Sequence, residues 1–202
     1  MRTPKVYSIA SFAVTSLAVI LVAALGQTAE SQNDRAAQAK LSPQQVASLQ
    51  YAGIPVAVPT EVPPGFEATS LDVTPVVSDD AFSGGYVIGY RHVDPNTGNQ
   101  ICFEVEAAMG GFGGPVPEHQ TDALLPAFTQ PLEDMEDYTY QLFWSDGGNE
   151  LEGFPEPILF SDWIRGDRAY YRVASLTLDD PGCTRLAPET ANEVLGSLQY
   201  LE

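Results

Sequence analysis

Cys102 and Cys183 are the residues of this chain best placed for chemistry, and they are its only thiols. In an oxidising compartment two such cysteines pair, because no reductant pool holds them open. The bond would close a loop of roughly 80 residues and stabilise the fold by on the order of 4 kcal/mol through constraint of the unfolded chain. The competing use of the same sulfur is nucleophilic, with His92 as the base on a neighbouring strand. No orienting third group and no oxyanion hole are legible around either residue, so the Cys102–Cys183 disulfide is the expectation.

The other candidates each have a plainer explanation beside them. Asp94-Pro95-Asn96-Thr97-Gly98-Asn99 opens like a calcium loop, but Gly98, Asn99 and Val105 stand where that loop needs an acid or amide, a glycine and a bidentate Glu. A hairpin turn explains it better. Gly110-Gly111-Phe112-Gly113-Gly114 lacks the Gly-Lys-[Ser/Thr] of a phosphate loop, and Pro115-Val116-Pro117 cannot start the helix such a loop requires. Glu133-Asp134-Met135-Glu136-Asp137, with Asp146, Glu150 and Glu152 beyond it, could gather cations or simply be solvated. Arg165-Gly166-Asp167 spells an adhesion tripeptide, although a glycine at a hairpin turn accounts for it. His92 and His119 are the only histidines, too few and too far apart for a zinc site without carboxylates. The expectation is no catalytic residue, no metal ligand set and no cofactor.

Composition narrows the partners. With 27 acidic against 9 basic residues the net charge is −18, which repels nucleic acid and anionic headgroups. The only lysines are Lys5 and Lys40. At 202 residues and 44% hydrophobic content the chain can bury one sizeable core.

The elements that must position these residues follow in order. Val6–Leu25 is apolar behind Arg2 and Lys5, which makes residues 1–26 a cleaved export signal or a retained single membrane anchor. Residues 27–40 read as a polar tether, and residues 41–202 as one domain. Ser42-Pro43-Gln44-Gln45 has a capping box with proline at the first helical position, Leu41 and Val46 form a hydrophobic staple, and Gly53 can end that helix. The prolines at 55, 59, 63 and 64 leave an extended edge segment. Phe66–Thr74 alternates as a strand. Gly85–Ala108 is a hairpin in which Ile101, Phe103, Val105 and Ala107 oppose Cys102, Glu104 and Glu106. A short stretch near Thr121–Phe128 has helical character, and Tyr138–Trp144 is a further strand. Ile158–Ile164 and Ala169–Leu176 form a second hairpin. Pro188–Leu201 places Ala191, Val194, Leu195, Leu198 and Leu201 on one helical face. The expected class is α+β, with an antiparallel sheet of about five or six strands on which an N-terminal and a C-terminal helix pack.

Pro59-Thr60-Glu61-Val62-Pro63-Pro64-Gly65-Phe66 at the entry to the first strand and Ser197-Leu198 near the end of the closing helix resemble a known group. These are exported bacterial domains of unknown function with a P-x-x-[LV]-P-x-G-[FY] opening and a terminal Ser-Leu pair. Some are attached to regulators of envelope-stress sigma factors. The resemblance implies an extracytoplasmic α+β domain and transfers no catalytic residue.

The expected function is that of an exported, non-enzymatic accessory or interaction domain with a protein partner at the bacterial envelope. A cation- or small-ligand-binding protein is the first alternative, and a hydrolase with an unrecognised site the second.

Overall fold

The computed structural model describes residues 32–76, 84–110, 113, 116–132, 137–148, 154–176 and 182–201. The segment read as signal or anchor lies outside them. No helix among the described residues is long and apolar enough to cross a membrane.

The central hairpin pairs β3 (Gly85–Val93) with β4 (Gln100–Ala108), in register from Gly85 opposite Ala108 to Val93 opposite Gln100. Its turn is stabilised locally. Asp94 Oδ1 accepts the Asn96 and Thr97 amides at 2.8 and 3.3 Å, and Gly98 has a φ of 73°, where a glycine is free of the Cβ penalty. The first carboxylate of the calcium-like loop is thus engaged by its own backbone, and those donors lower its pKa.

Around the hairpin lie β2 (Glu67–Thr74), β5 (His119–Asp122), β6 (Gln141–Ser145), β7 (Ile158–Ser161), β8 (Ile164–Arg165), β9 (Tyr170–Leu176) and β10 (Cys183–Thr184). They make a nine-stranded sheet in the order β2-β3-β4-β9-β7-β6-β5, with β8 beside β9 and β10 parallel to the start of β4. The class is α+β, and the sheet has more strands than expected. The extra strands are pieces of four residues or fewer, too short to show periodicity. One of them, β5, opens the stretch expected to be helical.

One face of this sheet holds the main core. Ile88, Val105 and Val173 are in register across β3, β4 and β9 and are fully buried. A second layer covers them: α1 (32–38), α2 (Pro43–Leu49), a 3₁₀ turn (Gln50–Ala52), α3 (Pro188–Gly196), and a separate two-stranded sheet of β1 (Ala57–Pro59) with β11 (Leu198–Tyr200). The Ser42–Gln45 capping box forms as expected, and Gly53 closes the 3₁₀ turn at a φ of 73°. Helix α1 occupies part of the segment read as a tether. Ala36 and Ala39 are buried there, and Arg35 Nη1 donates to the Tyr200 carbonyl at 2.7 Å.

The closing helix is shorter than the Pro188–Leu201 stripe suggests. It stops at Gly196, where a Cβ would come within 3.0 Å of Leu124 and where glycine lowers helix stability. Leu198 is nevertheless buried, because the helical stripe and the strand alternation point it to the same core. β11 then pairs antiparallel with β1, Pro59 opposite Leu198. The two pieces carrying the family resemblance therefore touch: Thr60 donates its amide and its hydroxyl to the Ser197 carbonyl at 3.2 and 2.8 Å.

Three phenols on the sheet pin this layer. Tyr86 both accepts the Ala57 amide and donates to the Ala57 carbonyl, each at 2.7 Å. Tyr90 donates to the Ala39 carbonyl at 3.1 Å and Tyr171 to that of Pro55 at 2.7 Å. In the proline-rich segment, which has few ladder partners, the Tyr86 and Tyr171 hydroxyls satisfy backbone groups of Ala57 and Pro55 that burial would otherwise leave unpaired. Burial raises the pKa of all three.

Candidate functional site

Residues in register share a face, so the parity that buries Val105 and Val173 sends Val87, Glu106 and Arg172 to the opposite face. There Arg172 meets Glu106 in a forked ion pair, Nε to Oε2 at 3.0 Å and Nη2 to both carboxylate oxygens at 3.0 and 2.8 Å. The side chains are 21% and 12% exposed. The guanidinium stacks on Trp163, 4.4 Å from the ring centroid, which fixes its plane. Beside this cluster runs a groove of about 310 Å³ lined by Asp72, Thr74, Val87, Glu106, Arg172 and Trp163, among others. Its two carboxylates face one guanidinium that is already paired, so it suits a cationic or neutral polar group better than an anion.

The same face carries the disulfide. Cys102 and Cys183 are bonded, with Cα atoms 5.6 Å apart, inside the range a disulfide needs. The bond holds β10 against β4, and Ser175 reinforces it by donating to the Cys102 carbonyl while accepting the Leu186 amide at 3.3 Å. The nucleophilic alternative fails twice. Cys102 has no free thiol, and His92 is paired with Ile101 on the other face, where Nδ1 lies 3.0 Å from the Gly65 carbonyl.

Comparison with family models, with curated proteins and with solved structures finds no match to this chain.

The remaining sequence candidates are dispersed. His119 stacks on Trp144 at the far edge of the sheet. Among the described residues no three histidine, cysteine or acidic side chains gather as a metal group would. Asp146 is ion-paired with Arg185. Glu133 to Glu136, Glu150, Glu152 and much of the glycine-rich loop lie outside the described residues. Arg165-Gly166-Asp167 is built into the domain: a Cβ on Gly166 would come within 2.6 Å of Tyr171 and Tyr200, and the Asp167 amide donates to the Tyr200 hydroxyl at 2.9 Å.

Glu106, Trp163 and Arg172 were not singled out by the sequence. One signal was there: Arg172 interrupts the apolar strand YYRVASL in a chain with only 9 basic residues, and a cation in such a strand needs a partner.

Proposed function

We propose that this chain is an exported, non-enzymatic accessory or interaction domain that works outside the cytoplasm at the bacterial envelope. The observation that carries the reading is the Cys102–Cys183 disulfide between the central strand and the entry to α3, a bond suited to an oxidising compartment. Behind it stand the apolar segment Val6–Leu25 and the resemblance of Pro59–Phe66 and Ser197-Leu198 to exported envelope domains. The test is fractionation of cells followed by thiol titration in denaturant. Protein in the envelope or medium with both sulfurs blocked supports the reading; soluble cytoplasmic protein with two free thiols overturns it.

A second reading, binding of a cation or small polar ligand, draws on the groove beside Asp72, Glu106 and Arg172. It predicts a higher melting temperature with a saturating ligand and none of that shift in Glu106→Gln.

A further inference from the structure

Strand β2 is one border of the nine-stranded sheet, and among the described residues it is paired on one side only, with β3. It is eight residues long, an unusual length for an open edge. Helix α2 and the 3₁₀ turn pack against it, with Gln45 Nε2 donating to the Ala68 carbonyl at 3.4 Å, and beyond that contact Ser70, Asp72 and Thr74 carry exposed side chains. A bulge at Thr69 sets the faces. Leu71 and Val73, opposite Ile88 and Tyr86, point to the core side yet are only half-buried. Ser70, Asp72 and Thr74 point to the other side and are exposed, with Asp72 and Thr74 at the rim of the groove that Glu106 also lines.

We infer that the β2 edge is the docking edge for an extended segment of a partner protein that alternates apolar with basic side chains. Main-chain pairing would supply the register. The apolar side chains would complete the burial of Leu71 and Val73, and the basic ones would reach Asp72 and the groove beyond it. Charge selects this occupant over a second copy: the chain carries −18, and pairing the Ser70–Thr74 stretch with itself would bring two Asp72 carboxylates together. The inference rests on the reading of the chain as an interaction domain and names its surface.

The test uses the full chain recovered from cells and synthetic ten-residue strands of alternating Val and Lys, alternating Val and Glu, or the Val and Lys residues in blocks. The alternating Lys strand should bind at least about tenfold tighter than either control, protect the Leu71 to Thr74 amides from exchange, and weaken as salt rises. Asp72→Lys, at an exposed position, should lose about tenfold in affinity while its melting temperature stays unchanged, and Asp72→Asn should lose less. Equal binding of all three strands, or protection elsewhere than β2, would overturn the inference. So would a dimer of the protein alone with protected β2 amides, since the edge would then belong to a second copy. Peptide binding is read in solution and localisation in cells, so failure of one leaves the other reading standing.

Discussion

Replacing Tyr86 by phenylalanine tests how the second layer is held to the sheet. The ring stays, so packing is nearly conserved, but one hydroxyl leaves and two Ala57 groups lose their partner at once. Ala57 is fully buried. An unsatisfied buried donor or acceptor costs about 1 to 3 kcal/mol, so the substitution should destabilise by about 2 to 5 kcal/mol. Against a total of about 5 to 15 kcal/mol that is a large fraction. In a domain of this size it corresponds to a fall in Tm of about 5 to 15 °C. Urea unfolding followed by tryptophan fluorescence would measure it, with Tyr90→Phe as the internal reference, because that change frees only the Ala39 carbonyl. If Tyr86→Phe costs no more than Tyr90→Phe, or less than about 0.5 kcal/mol, the phenol is not what holds β1. The same residues set an alkaline limit. Tyr86, Tyr90 and Tyr171 would ionise near pH 10 in the unfolded chain, whereas burial keeps them protonated in the fold. Above that pH the unfolded state binds fewer protons, so their stabilisation, complete below pH 10, declines by about 1.4 kcal/mol per pH unit for each phenol. Tyr86→Phe should make the measured decline shallower by about 1.4 kcal/mol per pH unit.

Three further outcomes follow from the packing. Removing the disulfide as Cys102→Ser with Cys183→Ser should cost about 2 to 5 kcal/mol in urea unfolding, with a small change only if the unfolded chain is already restricted. Leu198→Ala should cost about 2 to 5 kcal/mol by calorimetry, since that side chain is buried although it lies in β11 rather than in the helix. Arg172→Ala strands the Glu106 carboxylate and should cost about 1 to 3 kcal/mol, whereas Arg172→Met combined with Glu106→Gln should recover most of the loss in a double-mutant cycle.

Local signals in the sequence are legible where one element contains its own instructions. The Ser42–Gln45 box, the Asp94–Asn99 turn, the alternation of Ile101 to Ala107 and the second hairpin all depend on neighbours within a few residues. What was not legible depends on distant partners. Leu198 satisfies a helical stripe and a strand equally well, and only pairing with Pro59 decides between them. Ala36 and Ala39 look like tether residues until Arg35 finds Tyr200 and Tyr90 finds Ala39. The groove was invisible for the same reason: Asp72, Glu106, Trp163 and Arg172 come from four separate segments, and no spacing along the chain announces that a register will align them.

The pairing of β1 with β11 also bears on how the molecule is made. Contacts around it join residues 137 and 165 positions apart, Thr60 with Ser197 just beyond the ladder and Arg35 of α1 with Tyr200. Such long-range closure comes late in folding, because the loop-closure entropy of the intervening chain opposes the contact until its ends are brought together. β1 therefore stays without its strand partner until β11 has been delivered. A fragment that stops short of β11 would therefore leave β1 without a strand partner, however well the Tyr86 hydroxyl holds Ala57 to the sheet.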